Sequence, residues 1–452
     1  MGNDRGKSLH LNVSLLTPGH FRGAWRVDGN RATDFVDPEH YRRLIRIAQS
    51  GALHAVFVGD SPAVSPDIGN APGLGLDPVV MLADAAAGTS GIGVIATGST
   101  TYNDPFNLAR RYLSLDHLTG GRAGWNVVTT QQPAASANFG YSEPPEKAER
   151  YRRADEFVDV VTRLWEGWRP GAVIGDRASG LFADTTLIDR ANYRGEFFTV
   201  AGPLPLPRSP QGKPLIVQAG ASEGGLRLAG KYADLVFSAA QTDTVARNLR
   251  DEIRSRAKAF GRNPESVKVS TGLIVVVGDS EAHARQREEE LRETIPLEPA
   301  LRQLAGQLGL APETLELDTL VRASDLSETT AGAPSSAGFA ASTRALLEQK
   351  PLTARELIHK FAGGAGHQLA IGTPEQIADR IADWFVSGAT DGFTIMPGDV
   401  GRGLEEFVDH VVPELVTRGL YRSEYVGSTL RENFDLPCGS DTSELTDVGR
   451  AR

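Results

Sequence analysis

Residues 91–129 read GIGVIATGSTTYNDPFNLARRYLSLDHLTGGRAGWNVVT and contain one complete strand–helix–strand unit. Residues 91–97 form a short apolar run, which is typical of a buried strand. Asp104 and Pro105 then predict the start of a helix, because Asp is a preferred N-cap residue and Pro fits the first helical turn. Residues 122–129 are the next apolar run. This order predicts two parallel strands joined by a helix.

The same alternation continues along most of the chain of 452 residues. Eight short apolar segments are predicted as strands, and most are followed by a predicted helix. They are residues 9–16, 52–59, 91–97, 122–129, 215–219, 234–238, 267–277 and 393–396. Eight such strands favour a closed (β/α)8 TIM barrel, an α/β fold, over an open doubly wound sheet.

We predict a single barrel domain over residues 1–436. Residues 297–366 interrupt the alternation, because they are helical only in places and include a segment rich in Ala, Ser, Gly and Pro at 331–342. We interpret them as a helical insertion. Residues 437–452 look irregular and are predicted to form a C-terminal tail.

Composition excludes several classes of protein. Hydrophobic residues make up 40% and charged residues 23%, which is ordinary for a soluble globular chain. The net charge is −10 with no basic run, so we expect no nucleic-acid partner. A single cysteine, Cys438, predicts a reducing compartment. No apolar run reaches the ~18 residues of a membrane span, and the first ten residues lack a signal sequence, so we expect a cytoplasmic protein.

Active sites of such barrels lie at the carboxyl ends of the strands. Several polar residues fall at or near these predicted ends, and each could also be ordinary loop or capping chemistry. They are His20, Asp60, Thr97, Asn126, Gln218 and Ser222. Their convergence on one rim of the barrel makes them candidates for function.

The segment Gly220-Ala221-Ser222-Glu223-Gly224 has three interpretations. Ser222 could simply cap the following helix. The glycine-rich turn at a helix N-terminus could instead hold a phosphate. The spacing also fits the nucleophile elbow of a hydrolase, although no HGGG-type oxyanion segment precedes it. The segment alone does not decide among these three.

No metal site is predicted. The nine histidines include no HExxH pair, and the spacing of His359 and His367 suits a metal poorly. Residues 91–96 match a dinucleotide fingerprint only formally, because their glycines lie within a strand. Beyond Ser222 the sequence offers no strong nucleophile, so a bound cofactor is the more attractive source of difficult chemistry.

Six segments make the chain similar to the nitrilotriacetate monooxygenase family of bacterial luciferase-like enzymes, which includes dibenzothiophene-sulfone and EDTA monooxygenases. They are residues 19–26 (GHFRGAWR), 111–129, 218–222 (QAGAS), 372–378 (GTPEQIA), 391–393 (DGF) and 412–421. The LDHLTGGRAGWN block is the most specific of them. The resemblance covers residues 9–436.

The resemblance implies a two-component monooxygenase that uses reduced FMN from a separate NAD(P)H:flavin reductase. Such enzymes activate O2 as a flavin peroxide and oxygenate small, often xenobiotic, compounds with cleavage of a C–N, C–S or C–halogen bond. The family's flavin contacts correspond to Asp60, Thr97, Tyr151 and Ser222, and His20 and Asn126 would face the reacting side of the flavin. This favours the phosphate interpretation of Ser222. A homodimer or homotetramer is expected.

One position departs from the family pattern. The family has His-x-x-Arg-Tyr where this chain has Lys147 to Tyr151, so a lysine replaces the histidine. Lysine can contact a phosphate as a point charge, but it is a poor acid or base near neutral pH. Two alternatives therefore stay open: a serine hydrolase using Ser222, and a flavin-binding protein without turnover.

Overall fold

The structure is a computed structural model that describes residues 8–311, 313, 315–326, 343–344, 346–362 and 367–438. Its strands are short, as predicted. They are β1 (His10–Ser14), β2 (Ala55–Val58), β3 (Gly93–Ser99), β4 (Ala123–Val128), β5 (Val173–Asp176), β6 (Leu181–Ala183), β7 (Tyr193–Arg194), β8 (Thr199–Val200), β9 (Leu215–Gln218), β10 (Leu235–Ser238), β11 (Lys268–Val277), β12 (Leu320–Val321), β13 (Leu352–Thr353), β14 (Gln368–Gly372) and β15 (Gly392–Pro397).

The α-helices alternate with these strands. They are α1 (Pro38–Ser50), α2 (Pro78–Ala85), α3 (Pro105–Leu118), α4 (Pro133–Asn138), α5 (Lys147–Glu166), α6 (Glu223–Tyr232), α7 (Asp243–Ala259), α8 (Glu281–Glu293), α9 (Leu297–Leu308), α10 (Ala354–Ala362), α11 (Pro374–Val386), α12 (Val400–Glu406), α13 (Val412–Thr417) and α14 (Leu430–Asn433). Within the described part of the chain, no helix combines the length and the apolar character needed to cross a membrane.

Eight parallel strands close into a barrel. The ring runs β1, β2, β3, β4, β9, β10, β11 and β15, and β15 pairs with β1 to close it. Leu11 of β1 faces Phe393 of β15 in this closing register. The predicted (β/α)8 barrel is therefore confirmed, with the predicted strands in the predicted order.

The strand β14, the β5–β6 hairpin and the β12–β13 pair were not predicted. β14 pairs with Leu273–Val277, the second half of β11, and lies outside the barrel ring. β14 was missed because it is only five residues long and directly follows residues 297–366, which we interpreted as an insertion. The β5–β6 hairpin was missed because its strands are almost wholly exposed and carry no buried apolar pattern. The helical segment after β15 is divided into α12, a π-helical turn at Phe407–Val411 and α13.

The segment that carries the family resemblance is mainly structural. Asp116 is buried and accepts hydrogen bonds from the backbone N–H of Ala123 at 2.8 Å and from Nε2 of Gln211 at 2.6 Å. Arg122 donates to the carbonyl oxygens of Thr119 and Thr89, and the indole of Trp125 donates to Gly98 at 3.0 Å. These contacts join α3 to β4 and to the loop before β3, so the block stabilises one side of the barrel.

The amino end of the barrel is closed by the C-terminal segment. Leu430, Phe434 and Leu436 pack with side chains of β2, β3, β9 and β10 in one buried cluster. Arg431 forms an ion pair with Asp234 at 2.8 Å, and both side chains are buried. Because this end is filled, access to the barrel interior is from the carboxyl ends of the strands. Of the predicted tail, residues 439–452 lie outside the described residues.

The described part of residues 297–366 packs beside the barrel mouth. Side chains of α9 and α10 share a buried cluster with Phe21, Ile274, Val276 and Met396, which belong to the loop after β1, to β11 and to β15. The Ala/Ser/Gly/Pro segment at 331–342 lies wholly outside the described residues. The division into barrel, insertion and tail stays a prediction.

Candidate active site

The mouth of the barrel is lined by side chains that point inward from different strands. Phe57 of β2 and Phe237 of β10 have ring centroids 6.1 Å apart, although these two strands are not neighbours in the ring. Their contact must therefore cross the interior. Below them, Asn12 donates to Ser270 at 3.4 Å, and Ser270 hydrogen-bonds to Thr394 at 2.9 Å. The interior is thus polar in its middle layer and aromatic on one side of its mouth.

Thr97 and Asn126 are brought together as predicted for the same rim. Asn126 Nδ2 donates to Thr97 Oγ1 at 3.0 Å, and Thr97 donates to the carbonyl oxygen of Val58 at 2.8 Å. Both side chains are buried, and Asn126 Oδ1 has no hydrogen-bond partner. A buried acceptor without a partner is unfavourable unless water or a ligand satisfies it. Asn126 therefore offers one free acceptor at the mouth.

His20 lies in the loop after β1 and is anchored to β15. Its backbone N–H donates to Pro397 at 3.0 Å, while its Nε2 is buried without a partner. Burial, with a smaller contribution from His367, lowers the pKa of His20 to about 3, against a hydrogen bond to the backbone of Ser14. The imidazole is consequently neutral at physiological pH and acts as a hydrogen-bonding group rather than a cation.

Asp60 follows the end of β2 and is partly buried. Burial raises the pKa of this carboxyl, the nearby charge of Asp77 raises it further, and a hydrogen bond from the backbone of Ser61 opposes both. No ion pair to Asp60 is found among the described residues. The group is therefore a carboxylate at the rim without a cationic partner in that part of the chain.

Ser222 and Tyr151 form a direct pair. The Ser222 hydroxyl donates to the Tyr151 phenol oxygen at 2.8 Å and accepts from the backbone N–H of Gly225 at 3.4 Å. Ser222 is the N-cap of α6, which confirms the capping interpretation. Gly224 allows the approach, because a Cβ there would lie 2.4 Å from Cγ of Tyr151. The Ser222 hydroxyl donates its hydrogen bond to a phenol. It does not donate to the histidine base that a nucleophile elbow requires.

Lys147 is the first residue of α5 and precedes Tyr151 by one helical turn. Its side chain is exposed, and no hydrogen bond or ion pair to it is recorded in the described ranges. The ammonium is thus available to an anion near Tyr151.

Arg150 was missed by sequence reasoning. It is 8% exposed, donates to the carbonyl oxygen of Pro145 at 2.8 Å, and has a buried Nε without a partner. No carboxylate in the described part of the chain forms an ion pair with it. A buried cation without an anion is costly, so this position favours an anionic ligand. Its signal was present in the Arg of the Lys-x-x-Arg-Tyr segment.

His367 was also missed as a site residue. Its ring lies 5.3 Å from that of Phe237, and its buried Nδ1 has no partner. The ring occupies the space above Gly272, where a Cβ would be 2.6 Å from Nδ1. Burial lowers the pKa of His367 to about 4. A glycine within a strand often marks such a close approach, and Gly272 was the signal that could have found it.

No group of three or more His, Cys, Asp or Glu side chains suited to a metal ion occurs among the residues that the structure describes. The mouth therefore presents hydrogen-bonding groups, an aromatic side and a helix N-terminus. Parallel barrels with ligands at the carboxyl ends of their strands have this arrangement.

Comparison with known proteins identifies the family. The chain matches the luciferase-like monooxygenase family over residues 12–391. It belongs to that family. Membership places the chain among the monooxygenases and confirms the enzyme class predicted from the sequence. The luciferase-like fold agrees with the closed barrel described above.

Individual luciferase-like relatives span nearly the whole chain. N-acetyl-S-(2-succino)cysteine monooxygenase from Bacillus subtilis is 37% identical over 433 residues, covering 95% of this chain and 97% of the relative. Nitrilotriacetate monooxygenase component A from Aminobacter aminovorans is 36% identical over 442 residues, with coverage of 95% and 97%. The predicted resemblance to the nitrilotriacetate monooxygenase group is therefore confirmed.

Two solved luciferase-like structures superimpose on nearly the whole of this chain. EDTA monooxygenase from Chelativorans sp. BNC1 superimposes with a TM-score of 0.78 at 32% identity, covering 95% of this chain and 99% of that chain. A riboflavin lyase solved with a modified FMN and riboflavin superimposes with a TM-score of 0.82 at 30% identity, with coverage of 95% and 96%.

Proposed function

We infer that this luciferase-like chain is the oxygenase component of a two-component system. It takes reduced FMN from a separate flavin reductase and inserts one oxygen atom of O2 into a small organic, often xenobiotic, substrate. The observation that carries this proposal is the Ser222–Tyr151 hydrogen bond at the N-terminus of α6, on the rim of the barrel. The names of the component A relative and of the FMN-containing structure support it.

The residues present fit FMN. The first N–H groups of α6 and the hydroxyls of Ser222 and Tyr151 form a cradle for a phosphate, since a helix N-terminus favours an anion. Lys147 and Arg150, which precede Tyr151 on α5, would supply positive charge. Asp60 and the Thr97–Asn126 pair would contact the flavin ring system, through the unpartnered Asn126 Oδ1 among other atoms.

Bound reduced FMN would supply the two electrons with which one atom of O2 enters the substrate and the other leaves as water. The chain's own residues have simpler tasks. His20, neutral and with an unpartnered Nε2, hydrogen-bonds to the reacting groups. Asn126 holds its acceptor toward the same space. Phe57 and Phe237 exclude water from this space. The buried cluster of Leu430 and Phe434 closes the amino end of the barrel.

The proposal is tested with purified protein, FMN, NADH, a generic flavin reductase and O2. We expect reduced FMN to bind more tightly than oxidised FMN, and at least one compound of a C–N, C–S and C–halogen panel to be oxygenated with 18O from 18O2. Labelling of Ser222 by a fluorophosphonate, with no flavin binding, would instead support a hydrolase. Tight flavin binding without oxygenation of any compound would support a binding protein without turnover.

A further inference from the structure

The substrate side of the barrel mouth carries an aromatic wall, which we define as Phe57, Phe237, His367, Gly272 and Met396. The Phe57 and Phe237 rings are within 15° of parallel, and the His367 ring lies at 49° to Phe237 with centroids 5.3 Å apart. Phe57, Phe237 and His367 are each partly exposed to the mouth. A flat apolar compound would bury ring surface against this wall, which is a favourable contact.

Two imidazoles lie on this side of the mouth. His367 is close enough to His20 to lower the pKa of His20 electrostatically, and each ring has a buried nitrogen without a hydrogen-bond partner. Because burial lowers the pKa values of both, the two rings are neutral at neutral pH. They can hydrogen-bond to a polar substituent but cannot neutralise a carboxylate.

No Lys or Arg of the described residues is among the groups that lower the pKa values of His20 and His367. Arg22, the nearest in sequence to His20, pairs with Asp67 at 2.7 Å and donates to Gln303. Arg287, which follows β11, pairs with Glu406 and with a backbone carbonyl.

Arg150 lies elsewhere on the rim. It contacts Gln131, in the loop directly after β4, and β4 stands opposite β15 in the ring of eight. The wall is built from β2, β10, β11 and β15. The buried cation is therefore on the side of the proposed phosphate cradle rather than on the side of the aromatic wall.

We propose that this site takes an uncharged, ring-containing substrate, and that His367, held above Gly272 against Phe237, hydrogen-bonds its polar substituent. This inference rests on the proposed function and narrows it. A carboxylate or polycarboxylate would lose its hydration here without gaining a counter-charge, which is costly. The chain would then differ from relatives whose names denote carboxylated substrates, such as nitrilotriacetate.

The experiment compares two probes that share a ring and a carbonyl group and differ in charge. Binding of 2-naphthamide and of 2-naphthoate to the FMN-loaded full chain is measured by calorimetry at neutral pH. We expect the amide to bind at least about tenfold more tightly, since the carboxylate must be desolvated. Gly272→Ala should weaken binding of the amide, because the new Cβ displaces the His367 ring.

Two variants isolate the role of His367. His367→Lys should bind the two probes equally well or bind the naphthoate more tightly. His367→Gln should still bind the amide more tightly. Equal or tighter naphthoate binding by the unmodified chain would overturn the inference, and so would failure of both probes to bind. FMN affinity is measured in the same samples: loss of flavin binding contradicts the proposed function, whereas normal flavin binding without a preference contradicts only this inference.

Discussion

The Ser222 hydroxyl donates a 2.8 Å hydrogen bond to the Tyr151 phenol, although the two residues are 71 positions apart. The contact joins the N-terminus of α6 to the second turn of α5, and Gly224 lets the tyrosine ring lie against the α6 backbone. Two hydroxyls are therefore presented together with the free N–H groups of a helix start. This relationship is the basis of the first prediction.

Ser222→Asp should abolish FMN binding, because a carboxylate beside the phosphate repels it. Ser222→Ala should weaken binding by about 1.5–3 kcal/mol, the usual value of one hydrogen bond to a charged group. Calorimetric titration with FMN measures both. Ser280→Ala, which removes the N-cap of α8, is the matched control, since Ser280 accepts from His283 at 3.2 Å and its helix has no assigned part in flavin binding. Normal FMN affinity in Ser222→Asp combined with lost activity would revive the nucleophile interpretation.

Asp60→Ala should raise the concentration of reduced FMN needed for half-maximal turnover while leaving the thermal unfolding temperature nearly unchanged. Asp60 is partly buried at the end of β2 and has no ion-pair partner among the described residues, so its removal breaks no ion pair there. Asp60→Asn keeps a hydrogen-bonding oxygen. Its requirement for reduced FMN should therefore lie between that of Asp60→Ala and that of the unmodified chain. Turnover of Asp60→Ala equal to the unmodified chain at limiting flavin would show that the assignment is wrong.

Lys147→Ala should weaken binding of reduced FMN several-fold at low ionic strength and by less at high ionic strength, because exposed charges are screened by salt. Lys147→His should retain activity, since histidine is the residue of the family pattern. Lys258→Ala, at another exposed lysine, controls for the change in net charge. An alanine variant with unchanged flavin affinity at every salt concentration would mean that Lys147 has no part in binding.

Asp116 makes the stability of the barrel depend on pH. Burial raises the pKa of this carboxyl to about 6, and hydrogen bonds from Ser209, Ala123 and Gln211 act against that rise. In the unfolded chain the same group titrates near ~3.9. The folded state therefore holds a proton that the unfolded state has released between these values, and stability falls as pH rises through this window.

The matched variant is Asp116→Asn, which does not titrate and keeps an acceptor for Ala123 and Gln211. The free energy of unfolding of Asp116→Asn minus that of the unmodified chain should increase by about 2 kcal/mol between pH 4 and pH 7. Chemical denaturation at several pH values measures this difference. A difference that stays constant across the range would contradict a raised pKa at Asp116.

Local sequence was sufficient for the elements of the barrel. Asp104 precedes Pro105 and accepts a hydrogen bond from the first turn of α3, as predicted, and Asp37 and Asp77 cap α1 and α2 in the same way. Thr97 and Asn126 were predictable as rim residues, because the ends of neighbouring parallel strands fall at one edge. Such features depend on backbone sterics and on hydrogen bonds a few residues apart, and both can be read along the chain.

The content of the mouth was decided by tertiary structure alone. Phe57 meets Phe237, and His367 lies above Gly272, only because closing eight strands brings distant segments to face one another. The same holds for β14, which pairs with the part of β11 that extends beyond the ring. It also holds for the C-terminal segment, which the Arg431–Asp234 ion pair holds against the amino end of the barrel. These contacts join residues many tens of positions apart, and the pattern around each residue carries no information about its partner.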